Sequence, residues 1–89
     1  MEITEVKIWP ARNADSKIKA SASITIDGAF MVHDLRVIEG SNGLFVAMPA
    51  RKLSDGNYRD IAHPITPEAR EMIQKMVLAE YEKRLSSVS

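Results

Sequence analysis

The sequence predicts an α+β domain: an antiparallel β meander of four to five strands followed by one C-terminal α-helix. Three observations carry this. Residues 17 to 26 alternate strictly, with Ile18, Ala20, Ala22, Ile24 and Ile26 on one parity and Lys17, Lys19, Ser21, Ser23 and Thr25 on the other, the period of a half-buried strand. Three turn signals, Asp27-Gly28, Ser41-Asn42-Gly43 and Asp55-Gly56, separate apolar runs; hairpins in succession make a meander. Thr66-Pro67-Glu68 opens a segment whose apolar residues recur at helical spacing.

The first strand is expected from Ile3 to Trp9, with Val6 and Ile8 on one face and Glu5 and Lys7 on the other; Pro10 ends it, as an edge strand tolerates. Residues 11 to 16, ARNADS, are a polar loop. The strand from Lys17 to Ile26 follows, and its two lysines are either a solvated face or an extension of a basic surface. Asp27 and Gly28 suit the positive φ of a tight hairpin turn. Phe30 to Ile38 returns with blurred parity: Phe30, Val32 and Ile38 on one, Met31, Leu35 and Val37 on the other. Either both faces are covered, by the helix and a second subunit, or a bulge near His33-Asp34 shifts the pattern. Leu44 to Met48 is a fourth strand ended by Pro49, and Tyr58 to Ala62 a short fifth.

Threonine caps the helix, proline takes its first position, and Glu68 meets the positive end of the dipole. The helix is expected to reach about Arg84, with Ala69, Met72, Ile73, Met76, Val77, Tyr81 and Leu85 as its core stripe and Leu78 off it, available to a partner. Residues 1–85 form one domain, and SSVS at 86–89 is a frayed tail.

Eighty-nine residues build one modest core. With no cysteine, disulfides, thiolate chemistry and cysteine-based zinc sites are excluded; oligomerisation is the remaining common source of added stability, and a homodimer is expected. No run approaches the roughly 18 apolar residues of a membrane span, and Met1 leads directly into a strand-like pattern without a signal peptide, so a cytoplasmic protein with no membrane association is expected. Twelve basic residues balance twelve acidic ones. That argues against a strongly electrostatic nucleic-acid binder, although a local patch depends on distribution as well as on sum.

Chemistry-bearing residues are few. His33-Asp34 and Asp60 with His63 would make a metal or acid–base site only if the third and fifth strands were neighbours, and in a meander the fourth lies between them. His63 before Pro64 is expected to pack at the strand–helix corner, and His33 to make a structural hydrogen bond. Gly40, Gly43 and Gly56 are isolated turn glycines and make no phosphate loop. Met72 and Met76 are expected in the core. No enzyme activity, catalytic residue, metal, cofactor or small-molecule substrate is expected. The densest stretch is the hairpin after the fourth strand. Residues 51 to 59 carry Arg51, Lys52 and Arg59 against Asp55 alone. Its tip reads as a solvated turn, as a nucleic-acid contact with Tyr58 stacking on an exposed base, or as a protein contact rich in hot-spot residue types.

The strings ASITIDGAFMVHDLRVIEGSNGLFVAMPARK and DGNYRDIAHPITPEAR resemble the stage V sporulation protein G (SpoVG) family, and the likeness runs from the MEITEVKI opening into the helix. The resemblance implies a small bacterial cytoplasmic protein that dimerises through an antiparallel sheet, with a C-terminal helix on each subunit. It further implies a site-preferring DNA-binding regulator, RNA-binding in some members, that affects sporulation septation or other cell-surface and developmental programmes. The family's basic contact follows the fourth strand, which carries over to Arg51, Lys52 and Arg59, with Tyr58 where an aromatic is usual. Two departures stand out: the tip reads ARKLSDGNYRD, where a serine-lysine-arginine-threonine-proline order is commoner, and SSVS replaces the acidic tail of many members. The alternative function is a protein-interaction adaptor of the division or sporulation machinery, with incidental nucleic-acid binding.

Overall fold

The computed structural model describes residues 1–11 and 16–87. Four strands, β1 (Ile3–Pro10), β2 (Ile18–Ile26), β3 (Phe30–Gly40) and β4 (Gly43–Ala47), form an antiparallel sheet in sequence order. β5 (Ala50–Lys52) and β6 (Tyr58–Asp60) form a separate two-stranded ribbon, and α1 (Pro67–Ser87) ends the chain. The α+β class and the meander are as expected, and β1 is an edge strand. Of the expected polar loop, residues 12–15 lie outside the described residues.

The fifth strand differs from expectation. Tyr58–Asp60 does not extend the meander beside the fourth strand; it pairs with Ala50–Lys52, so Arg51 and Lys52 are strand residues. The physical reason is Pro49. It has no N–H for a ladder, and the chain leaves the sheet there; Ile61 N–H donates to the Pro49 carbonyl at 2.8 Å and closes the base of the ribbon.

The blurred parity of the third strand is resolved by a bulge. Ala22 pairs with Leu35 and Ile24 with Val32, so β3 contributes one extra residue between those pairs. Asp34 carries it in a left-handed conformation, φ 67°. Before the bulge the even position Val32 packs against the core; after it the odd positions Leu35 and Val37 are buried. A smaller irregularity between Ile3 and Glu5 in β1 does the same for Ile3 against Val6 and Ile8. The β2–β3 turn takes positive φ at both Asp27 (53°) and Gly28 (63°), as a primed hairpin turn requires. It is tied to the first strand by Glu2 N–H donating to Asp27 Oδ1 at 2.9 Å and Gly28 N–H donating to Thr4 Oγ1 at 3.0 Å.

The helix packs its stripe on the inner face of the sheet, touching β1, β2 and β4. Ile73, Val77 and Tyr81 join Ile3, Ile8, Ala20, Ala22, Ile24, Leu35, Val37 and Val46 in one core, with Met72 partly buried against it. The cap is as expected: Ala69 N–H donates to Thr66 Oγ1 at 3.1 Å. Three details depart. Met76 and Leu85 are exposed, whereas Leu78 packs on the core: residues 76 and 78 flank the face through 73, 77 and 81 on opposite sides, and the core extends along the flank of 78. Ser23, expected on the polar face, is buried; it stands opposite the bulge, between the Ala22–Leu35 and Ile24–Val32 pairs. Finally, α1 runs to Ser87, beyond Arg84 and into the expected tail, while residues 88–89 lie outside the described residues.

The bulge generates a test. Asp34→Gly is expected to change stability by less than about 0.5 kcal/mol, whereas Asp34→Val, β-branched at a positive φ, costs about 1–2 kcal/mol; urea unfolding midpoints of the two variants measure the difference.

Candidate nucleic-acid interface

The ribbon presents the four residues singled out in the sequence, and its register sorts them. Arg51 pairs with Arg59 and Lys52 with Tyr58. Successive strand residues alternate faces, so the two guanidinium groups occupy one face and Lys52 and Tyr58 the other. All four are exposed. The structure therefore brings together the two arginines as one pair, and the lysine and phenol as another, back to back.

The turn that joins them consumes the nearest acid. Asp55 Oδ1 accepts the Asn57 backbone N–H at 3.0 Å and its Oδ2 accepts Asn57 Nδ2 at 3.2 Å. Gly56 takes φ 92°, open to glycine at no steric cost, and Leu53 N–H donates to the Asn57 carbonyl at 2.7 Å. With Asp55 holding its own turn, the side chains of Arg51 and Arg59 have no ion-pair or hydrogen-bond partner among the described residues. Two permanently charged groups directly opposite each other repel, and an anion between them would relieve that repulsion.

On the other face the ribbon overhangs the sheet and forms a cleft of about 580 Å³. Tyr58 and Asp60 line it from β6, Asp34 and Arg36 from β3, Phe45 from β4 and Arg70 from the first turns of α1. Sequence reasoning missed Arg36, Phe45 and Arg70 as neighbours of the ribbon. A hint lay in the third strand, where a bulge reverses which face Arg36 occupies; for Arg70 there was none, because its placement depends on how α1 returns across the sheet. Phe45 is seated by Gly40: a Cβ there would lie 2.9 Å from Phe45 Cε1.

The other candidates fall elsewhere. Lys17 and Lys19 stand at the start of β2, which pairs with β1 and β3 and not with the ribbon. His33 sits beside the bulge without the expected hydrogen bond among the described residues. His63, exposed rather than packed, has its Nδ1 3.2 Å from the Pro64 carbonyl and lines an apolar groove of about 630 Å³ between the start of α1 and the inner sheet face. Among the described residues, no three potential metal ligands gather, and no helix is long and apolar enough to cross a membrane.

Comparison with known proteins gives a consistent result. The SpoVG family model matches residues 1–83. The chain is similar to septation protein SpoVG of Clostridium perfringens, 57% identical over 83 residues covering 93% of this chain and 91% of the relative. It is similarly related to the Clostridium kluyveri protein of that name (55% over 83 residues, 93% and 85%) and to that of Bdellovibrio bacteriovorus (50% over 88 residues, 99% and 80%).

The arginine pair predicts a measurable local effect. Replacing one partner, Arg59→Thr, is expected to slow amide exchange at Leu53, whose hydrogen bond closes the ribbon, by about 1.5- to 5-fold at low salt, the range implied by a cross-strand term of about 0.2–1 kcal/mol. The difference shrinks in high salt.

Proposed function

The chain belongs to the SpoVG family, and from that premise we propose that it is a cytoplasmic, homodimeric, site-preferring DNA-binding regulator that also accepts RNA. Its role is septation-related, in keeping with the name its relatives bear, and extends to sporulation or other cell-surface and developmental programmes. It is not an enzyme.

The observation that carries this reading is the Arg51–Arg59 cross-strand pair. A protein with zero net charge places two unneutralised guanidinium groups opposite each other on an exposed ribbon outside the core. Phosphate oxygens are the ligand that such a fork suits. Lys52 adds a third cation on the reverse face and Tyr58 an aromatic surface for an exposed base. Contacts of this kind position a strand along its backbone, while site preference needs base contacts in addition.

Dimerisation through the sheet is assigned to the third strand, which carries the exposed apolar residues Phe30 and Met31. Two copies of the ribbon then act together, and three cations in each give at most about six phosphate contacts and a log–log salt slope no steeper than roughly −5 on duplex DNA.

A second reading, the protein-interaction adaptor, draws on the apolar groove beside His63 and on the exposed Ile61 and Ile65 flanking it. Burial of apolar side chains is insensitive to the salt concentrations that weaken phosphate contacts, so partner binding by an adaptor persists at salt that abolishes nucleic-acid binding.

The deciding experiment is a fluorescence-anisotropy titration with random-pool DNA and RNA at low and near-physiological salt. Arg51→Ala combined with Lys52→Ala is expected to reduce the slope to about −2 with little change in Tm, because both residues lie outside the core; unchanged affinity refutes the ribbon as the contact. Phe30→Ser combined with Met31→Ser is expected to convert a dimer into a monomer in analytical ultracentrifugation, and a dimer that persists refutes the third-strand interface.

A further inference from the structure

We propose that the cleft beneath the ribbon holds one unpaired guanine base of the bound strand. The proposal rests on the nucleic-acid reading of the ribbon and adds to it the identity of the base. At about 580 Å³ the cleft falls within the range of about 300–1,000 Å³ typical of ligand pockets. Two aromatic side chains reach it from separate elements, Phe45 from β4 and Tyr58 from β6. They remain 41% and 67% exposed, so their ring faces are available for stacking, which any base can satisfy.

The polar groups choose among the bases. Arg36, Arg70, Asp34 and Asp60 line the same cleft, yet none of their side chains has an ion-pair or hydrogen-bond partner among the described residues. Two guanidinium groups and two carboxylates are thus left to a ligand that offers adjacent acceptors on one edge and adjacent donors on another. Guanine does so: its O6 and N7 accept a bidentate guanidinium, and its N1–H and N2–H₂ donate to a carboxylate, which is acceptor-only. Adenine presents a donor at N6 where the guanidinium needs an acceptor, and a pyrimidine lacks N7. In a duplex the N1 and N2 groups are committed to pairing, so the base has to be unpaired to use both edges.

The rest of the ribbon fits such a strand. Lys52, opposite Tyr58 and on its face, is placed for the phosphate beside the stacked base, and the arginine pair on the reverse face for a neighbouring one. Gly40 leaves room for the Phe45 ring, which a Cβ would contact at 2.9 Å, so one wall of the cleft is set before any ligand arrives.

The test uses the full-length protein and labelled oligothymidylates carrying one central variable base, titrated at about 50 mM salt. Wild type is expected to bind the guanine oligonucleotide about tenfold more tightly than the adenine one. 7-Deazaguanine, which lacks the N7 acceptor, and inosine, which lacks the N2 amine, are expected to fall between them. Arg36→Gln and Arg70→Gln, each checked by thermal unfolding, are expected to bring the guanine-to-adenine ratio below about twofold, whereas Phe45→Leu, which removes only stacking, and Arg51→Gln with Arg59→Gln each weaken both oligonucleotides alike. A wild-type ratio near one overturns the guanine site and leaves the ribbon reading intact. A ratio retained in both Arg36→Gln and Arg70→Gln also overturns it. Absence of binding to every oligonucleotide defeats the ribbon reading itself, and the guanine site with it.

Discussion

One helix has to cover the inner face of a four-stranded sheet, and most features of the molecule follow from how that contact is filled. Val77, Ile73 and Tyr81 supply the helical side, and Ile24, Leu35 and Val37 the centre of the strand side. A strict period-2 strand cannot deliver Val32, Leu35 and Val37 to one face. The left-handed residue Asp34 adds the odd position that makes it possible. The cost is a local break in pairing between the two central strands, tolerated because the hairpin turn at Asp27-Gly28 and the β1 ties to it hold the register from the other end.

The same economy explains why the charged residues end up outside. The segment after Pro49 is exposed from Ala50 to Ile61, and it forms a ribbon held by its own ladder and turn. Such a ribbon can carry repelling charges without unfolding the core, since its pairing energy is separate from the packing of Ile24, Leu35 and Val37. A basic site on a neutral protein is consistent with this division: the core carries stability, and the ribbon carries a local field. Where the ribbon returns toward the sheet it creates a second environment, in which charged groups of both signs and two aromatic rings share one cleft. The reversal of register at Asp34 and the break at Pro49 are what bring Arg36, Phe45 and Tyr58 to it.

Much of this was legible in the amino-acid sequence because it depends on local chemistry. The alternation of Ile18 to Ile26, the Asp-Gly turn, the Thr66 cap and the Ile73–Val77–Tyr81 stripe are each dictated by backbone preference or by a period of two or 3.6 residues. The candidate site was legible as a set, Arg51, Lys52, Tyr58 and Arg59, because its residues lie close in the chain. Its arrangement was not. Placing Arg51 opposite Arg59 required the register of the ribbon, and that register is set by a three-point turn, Asp55 to Asn57 and Leu53 to Asn57, rather than by the two-residue pattern that Asp55-Gly56 suggests.

By itself, then, the sequence determined the class, the order of elements, the helix start and the family likeness, since these follow from side-chain periodicity, capping and turn conformations within a few residues. Only the tertiary structure decided that the fifth strand leaves the sheet, that Asp34 rather than a second covering layer accounts for the two-faced third strand, and that Leu78 rather than Met76 meets the core. It alone brought Arg36 and Arg70 beneath the ribbon. Each of these depends on contacts between residues distant in the chain, where small differences in packing geometry and a missing proline N–H outweigh local pattern.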